Sequence, residues 1–336
     1  MTYWLPVIWA ALLAVAVLAY VLLDGFDLGI GILFAVEHRE EDRDLMVTSV
    51  APVWDGNETW LVLGGGGLFA VFPPAYAVLM TALYPAIIAM LLALVFRGVA
   101  FEFRFRARRP ASRIWWDRAF LLGSTVAAFC QGLVLGGLLQ GIHAVNGQYA
   151  GGWFDWLTGF TVLCGVAVVL GYALLGATWL IWRTEGELQR SARRNAGFLG
   201  AAVLALIVVV SLWTPFLNPR FAHTWFGFPG IVLTSPVPLL VALAAWGFWR
   251  GLRRHSDLAP FLCAEAWFVL CYAGLGISLW PDIVPPGLTI WQAAAPPSSQ
   301  GFLLVGAVVL IPIILAYTGF AYWVFRGKVK PGMHYH

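Results

Sequence analysis

Residues 5–35, LPVIWAALLAVAVLAYVLLDGFDLGIGILFA, decide the fold. From Leu5 to Leu23 this stretch carries no charge, and about 20 consecutive apolar residues are what a helix needs to cross a bilayer. Two carboxyls then arrive inside the same apolar run, at Asp24 and Asp27. A charged side chain at the bilayer centre costs at least about 2.5–3.5 kcal/mol on insertion scales, so both acids require a partner or a wet cavity.

Composition extends this reading to the whole chain. Of 336 residues, 61% are hydrophobic and only 11% charged, against roughly a quarter charged in soluble domains. Lipid is therefore the main solvent, and 1–336 reads as a single integral membrane domain. Apolar stretches bounded by charge, Gly or Pro predict nine spans, at about 5–35, 47–70, 75–97, 119–141, 156–182, 198–217, 230–250, 259–280 and 301–325. The second is the most polar, with Asp55, Asn57, Glu58 and the run Gly64 to Gly67, so a hydropathy scan that passed over it would count eight. Because lipid leaves no partner for open backbone groups, the predicted fold is an all-α polytopic helical bundle. Residues 1–142 and 156–280 are expected to form two four-helix groups, and 301–336 the ninth, outer helix and a basic tail. Met1 runs into Trp4, Leu5 and Pro6 without a basic stretch or cleavage site, which reads as a retained first helix.

Charge placement sets the orientation, since Lys and Arg accumulate in cytoplasmic loops. With the N-terminus outside and nine spans, 19 of the 20 basic residues fall inside, from Arg39 and Arg43, through Arg97, Arg104, Arg108 and their neighbours, to Arg326, Lys328 and Lys330. Only Arg220 falls outside, and the C-terminus is cytoplasmic. Without the second span, the basic loops at 39–43 and 97–113 would lie on opposite faces. The outer loops, Asn146 to Trp153 and Trp280 to Gln300, are instead rich in Gly, Pro, Trp and amides. A formal charge of +3 spread this way does not imply nucleic acid.

Asp24 and Asp27 are three residues apart, as are Asp55 and Glu58 in WDGNETW at 54–60, a spacing that puts each pair on one helix face. Both pairs fall toward the cytoplasmic ends of consecutive spans, so the four carboxyls are expected to line one polar cleft open to the cytoplasm. Carboxyls that are close together and partly desolvated exchange protons near neutral pH, which points to proton uptake. The plainer alternative is that Asp24 and Asp27 cap a kinked helix or pair with an arginine such as Arg97. Gly25 and Gly29 form a GxxxG, which lets helices approach closely. Glu102, in FRGVAFEFRFR at 96–106, is expected to pair with Arg104 or Arg106 at the surface, and Glu265 is a further candidate.

The histidines, His38, His143, His223, His255, His334 and His336, lie in loops, at helix ends or in the tail. A membrane haem needs a buried axial ligand, so no haem and no metal is expected in this chain alone. Met80 and Met90 read as packing, as do Cys130, Cys164, Cys263 and Cys271, which sit in apolar runs without a CxxC pair.

At DGFDLGIG (24–31), SVAPVWDGNETWL (49–61), GGGGLFAVFPPAYA (64–77), FRGVAFEFR (96–104) and QGI (140–142), the sequence resembles subunit II of cytochrome bd quinol oxidases, including the cyanide-insensitive branch. The likeness is densest over residues 20–142. The resemblance implies a haem-free subunit in the bacterial cytoplasmic (inner) membrane, paired pseudo-symmetrically with a subunit I that carries haems b558, b595 and d and the quinol site. Such a complex oxidises ubiquinol or menaquinol, reduces O2 to water and draws its protons from the cytoplasm. Asp24, Asp27 and Asp55 match acidic positions of the family's proton path, Glu58 stands where the family often has Gln, and Trp60 matches a tryptophan near its oxygen channel. Asn57, Arg97 and Glu102 are then supporting positions. Some members also hold a structural quinone, bound lipid or a small single-span third subunit. Two other functions compete: a proton-coupled secondary transporter, which also buries carboxylates near the midplane, and a purely structural scaffold subunit.

Overall fold

The computed structural model describes residues 3–107, 109–145 and 147–330. Arg108, Asn146 and the tail PGMHYH, with His334 and His336, lie outside the described residues. The chain begins with α1 (Trp4–Leu33), α2 (Glu40–Val50), α3 (Trp54–Val71), α4 (Pro73–Arg106) and α5 (Pro110–Gln140). A two-stranded hairpin, β1 (Ala144–Val145) and β2 (Gln148–Tyr149), leads to α6 (Gly159–Arg183), α7 (Gly186–Leu217) and the short α8 (Pro219–Phe226). There follow α9 (Gly230–Thr234), α10 (Pro236–Arg253), α11 (Ala259–Leu279), a second hairpin of β3 (Asp282–Val284) and β4 (Leu288–Thr289), and α12 (Pro297–Val324).

Eight helical segments among the described residues are long and apolar enough to cross a membrane: α1, α4, α5, α6, α7, Gly230–Arg253, α11 and α12. The polar first half and four glycines of α3 leave it out of that set. It nevertheless runs the length of the bundle, because Ala295, beyond α11, donates its N–H to the Val71 carbonyl at 2.8 Å. The predicted single span over 47–70 is corrected to two helices, broken at residues 51–53, where Pro52 has no N–H to continue the ladder. Likewise α4 runs on to Arg106 rather than stopping near 97, since Phe101 and Arg104 are buried rather than loop residues.

The basic connections share one end of the bundle. Arg39 at the start of α2 meets Glu187 of α7 at 2.8 Å, and Arg193 and Lys328 both reach Asp257 before α11, at 2.6 and 2.7 Å. At the far end the Ile142 N–H bonds the Pro285 carbonyl at 2.7 Å, and Trp291 Nε1 reaches the Tyr3 carbonyl at 3.2 Å. Arg220 lies at this far end with its own counter-charge, Asp282, at 2.5 Å.

Packing changes along α1. Its first two thirds bury one stripe, Trp9, Leu13, Ala16 and Tyr20, whereas every residue from Asp24 to Phe34 is buried. Glycines make that enclosure possible. A Cβ on Gly29 would come within 1.9 Å of the Tyr172 carbonyl oxygen, and one on Gly176 within 2.5 Å of the Gly29 carbonyl carbon. Backbones of α1 and α6 thus touch along one seam. By contrast α12 buries only Gln300 and is held at its ends: Trp9 Nε1 donates to the Gln300 carbonyl at 3.1 Å, and the Val329 N–H donates to the Arg183 carbonyl at 2.8 Å.

At the basic end, the wholly buried side chain of Arg104 joins Asp117 and Asp44, both at 2.5 Å, while Arg43 meets Asp117 at 2.8 Å and Arg113 pairs with Asp44 and Glu40. This corrects the expectation for Glu102, which is exposed while Arg104 turns inward. Burial pushes the Asp44 carboxyl up, but hydrogen bonds from Arg113 and Arg104, with their charges, outweigh it and hold Asp44 below the usual aspartate range. A depressed folded-state value stabilises above the unfolded one and is lost as pH falls through it. Acid should therefore loosen the α2–α4–α5 junction below about pH 4. A thermal melt of Asp44→Asn in detergent should show a shallower loss of stability from pH 6 to pH 3 than the parent, and parallel curves would refute the assignment.

Candidate functional site: a buried acidic cluster

Three helices supply the site near the basic end. On α1, Asp24 and Asp27 are 0% and 1% exposed. From α4, Arg97 points into the same interior at 1% exposure, and its Nη2 stands 2.8 Å from Asp24 Oδ1. Arg97 is thus no loop residue, although charge counting grouped it with the basic segment. From α3, Asn57 donates Nδ2 to Asp27 Oδ2 at 2.7 Å and to the Leu23 carbonyl at 3.2 Å. Glu58 approaches Arg97 at 3.9 Å and keeps 28% of its side chain exposed, so it is the member that reaches the surface.

The four expected carboxyls do not all converge. Asp24, Asp27 and Glu58 gather around Arg97, while Asp55 is exposed on the other side of α3. Successive helical residues turn by about 100°, so Asp55 lies roughly 160° from Asn57, whose side chain faces α1. Trp60 is buried against Tyr20 and Ala16, with no hydrogen-bond partner for its Nε1 among the described residues. Glu102 stands apart, exposed on α4.

Sequence reasoning missed the tyrosines. The Tyr322 hydroxyl of α12 donates to Asn57 Oδ1 at 2.9 Å, fixing the amide so that its NH2 faces Asp27. Tyr172 of α6 donates to Gln131 Oε1 at 2.6 Å, and Gln131 Nε2 donates to the Tyr20 hydroxyl at 2.8 Å. Tyr20 lies beside Asp24, one turn away on α1, and that i,i+4 relation was available in the sequence. Tyr322 gave no such signal, because its partner is far away along the chain.

One arginine faces three carboxyls, so charge is not balanced if all are ionised. Among the described residues, both oxygens of Asp24, Oδ1 of Asp27 and two nitrogens of Arg97 also lack an aligned hydrogen bond. Such groups are rare in folded proteins and make the cluster a candidate functional site. The cluster can hold and release protons between its carboxyls, with Arg97 setting how many negative charges it tolerates.

Fold and site together define a multi-pass helical membrane protein with an acidic interior built around one arginine. The family model described as Cytochrome bd terminal oxidase subunit II matches residues 5–325. The chain belongs to that family. It is 30% identical to the Cytochrome bd-I ubiquinol oxidase subunit 2 of Escherichia coli K12, covering 96% of this chain and 94% of that one. With the Cytochrome bd ubiquinol oxidase subunit 2 of Bacillus subtilis 168 it shares 29% identity, covering 96% of each. A chain of the solved bd oxidase from Geobacillus thermodenitrificans has the same fold, with a TM-score of 0.75 at 17% identity over 96% of this chain and 98% of that one. The protein is therefore a terminal oxidase subunit in a haem-containing respiratory complex with a subunit I partner, and a multi-pass protein of the bacterial inner membrane.

Proposed function

We propose that this chain is the haem-free second subunit of a quinol:O2 oxidoreductase and carries part of its cytoplasmic proton path through Asp24, Asp27, Glu58 and Asp55. The carrying observation is the cluster itself: three carboxyls around one buried arginine, one of them open to the surface. The basic end is cytoplasmic, in keeping with the positive-inside rule, and α3 is the ninth span. Subunit I then holds haems b558, b595 and d and the quinol site, where ubiquinol or menaquinol is oxidised and O2 reduced to water. Among the described residues, His38, His143, His223 and His255 are all exposed, so these histidines do not fit a buried axial pair.

Within this chain the steps are local. Glu58 takes a proton from the aqueous phase, and Asp24 and Asp27 receive it while Arg97 remains charged. Asn57, locked by Tyr322, orients Asp27. Asp55 stands on an exposed face of α3, where Gly56 next to it and, farther along the helix, Gly65 and Gly66 meet nothing within 4 Å. A carboxyl at membrane depth needs cover, and that open face suits the partner subunit, to which Asp55 would hand the proton.

Asp27→Asn tests this. It preserves shape and the Asn57 contact, yet removes the carboxyl. Oxygen consumption per haem should fall about 10²-fold, the low end of what a positioned proton carrier contributes, with haem content unchanged. Loss of haem in proportion to activity would instead support the scaffold, and normal turnover would remove Asp27 from the path. Proton-coupled transport by the chain alone in liposomes would support the transporter.

A further inference from the structure

A carboxyl outside this cluster is left without a role. Glu265 lies in the second turn of α11, and its Oε2 is fully buried with no hydrogen-bond partner among the described residues. The side chains around it fix where it points. Phe261 packs edge-on to Phe26 of α1 at 6.0 Å and against Trp179 of α6 at 5.6 Å. One turn beyond Glu265, Phe268 stacks on Tyr172 of α6 at 5.9 Å, and the Tyr272 hydroxyl donates to the Ala14 carbonyl of α1 at 2.9 Å. Residues 261, 265, 268 and 272 form one helical face, so Glu265 is directed at the α1–α6 seam between Phe26 and Tyr172.

Phe26 sits between Asp24 and Asp27 in the sequence, so Glu265 approaches the level of the acidic cluster from the opposite side of α1. Titratable groups face it from two elements: Tyr172 of α6 and Tyr322 of α12 are both within electrostatic reach. These are the two tyrosines whose hydroxyls connect onward, through Gln131 and Tyr20 toward Asp24 and through Asn57 to Asp27. No cationic side chain among the described residues pairs with Glu265. A lone carboxylate there would be a buried, uncompensated charge, so a proton must accompany it for most of the cycle.

We propose that Glu265 is a further proton-binding site of this subunit, a carboxylic acid that releases its proton when the Asp24–Asp27 cluster is depleted and is reloaded from it. The step moves one proton, breaking the Glu265 O–H bond and forming one on an Asp24 or Asp27 oxygen, with no electron transferred. This rests on the proton-path reading of the cluster, and the test separates the two.

The test is redox-difference infrared spectroscopy of the purified oxidase complex with Glu265→Gln, Glu265→Asp and Asp27→Asn, with turnover per haem on the same samples. Glu265→Gln should remove a protonated-carboxyl stretching band that shifts in D2O, and Glu265→Asp should restore it at a shifted frequency. A complete set of carboxyl bands in Glu265→Gln, with turnover per haem equal to the parent across pH, overturns the proposal while a slow Asp27→Asn keeps the cluster reading. Loss of the Glu265 band with full turnover in Asp27→Asn keeps the proton site and discards the cluster as the path. Should Glu265→Gln fail to assemble, the band shift in Glu265→Asp decides: a moved band supports the site, an unmoved one refutes it.

Discussion

Arg97→Leu is expected to abolish accumulation of the assembled oxidase. The guanidinium is 1% exposed and stands 2.8 Å from an Asp24 carboxyl that is itself 0% exposed, and it also faces Glu58 at 3.9 Å. Removing one member of a buried ion pair strands the other, at a cost of about 3–5 kcal/mol. That is a large share of the roughly 5–15 kcal/mol by which folded proteins exceed their unfolded states. Leucine also forfeits the contact of the Arg97 guanidinium over the Trp54 ring, 5.6 Å away. The pair Asp24→Asn with Arg97→Gln removes both charges together, so it should recover much of the yield while leaving turnover slow. Yield of haem-bearing complex by size exclusion measures both, and a normal yield of the single variant would show that the pair is not what holds α1 to α4.

Gly29→Ala should be almost as severe, although it adds a single methyl. Its Cβ would lie 1.9 Å from the Tyr172 carbonyl oxygen and 2.8 Å from the Gly176 nitrogen, both backbone atoms that no rotamer change can move. Overpacking a tight core typically costs about 1–3 kcal/mol, and a clash with backbone falls at or above that upper figure. The α1–α6 seam would have to open, displacing Tyr172 from Gln131. Gly306→Ala on α12, where nothing lies within 4 Å, serves as the neutral control. Equal melting temperatures for the two variants would contradict the close approach.

Much of this architecture was readable beforehand, and the reasons are specific. Helices in lipid must be long, apolar and charge-poor, so the spans announced themselves. The basic loops shared an end because insertion sorts them. Pro52 marked the break before α3, but the apolar run around it masked the signal. The site was half legible. Acids inside an apolar run had to be satisfied somewhere, which singled out Asp24 and Asp27. Which partner each would take depended on how α3 and α4 rotate about their axes, and spacing within one helix carries no information on that. Asp24 went to Arg97 and Asp27 to Asn57, and Asp55 and Glu58 parted because α3 buries the stripe through Trp54, Asn57 and Trp60. Sequence proximity pairs Glu102 with its neighbours, whereas Arg104 finds Asp117 and Asp44 through tertiary packing.

The uneven enclosure of α1 bears on how the subunit fits its bilayer. At 30 residues the helix is about 45 Å long, well beyond a hydrocarbon layer of roughly 30 Å. Only the part before Asp24 leaves side chains on the outside of the bundle, about 20 residues, or roughly 30 Å of helix. The remainder is a peg inside a protein collar. The acids on that peg are surrounded by protein rather than acyl tails, so a change of lipid reaches them only through the collar.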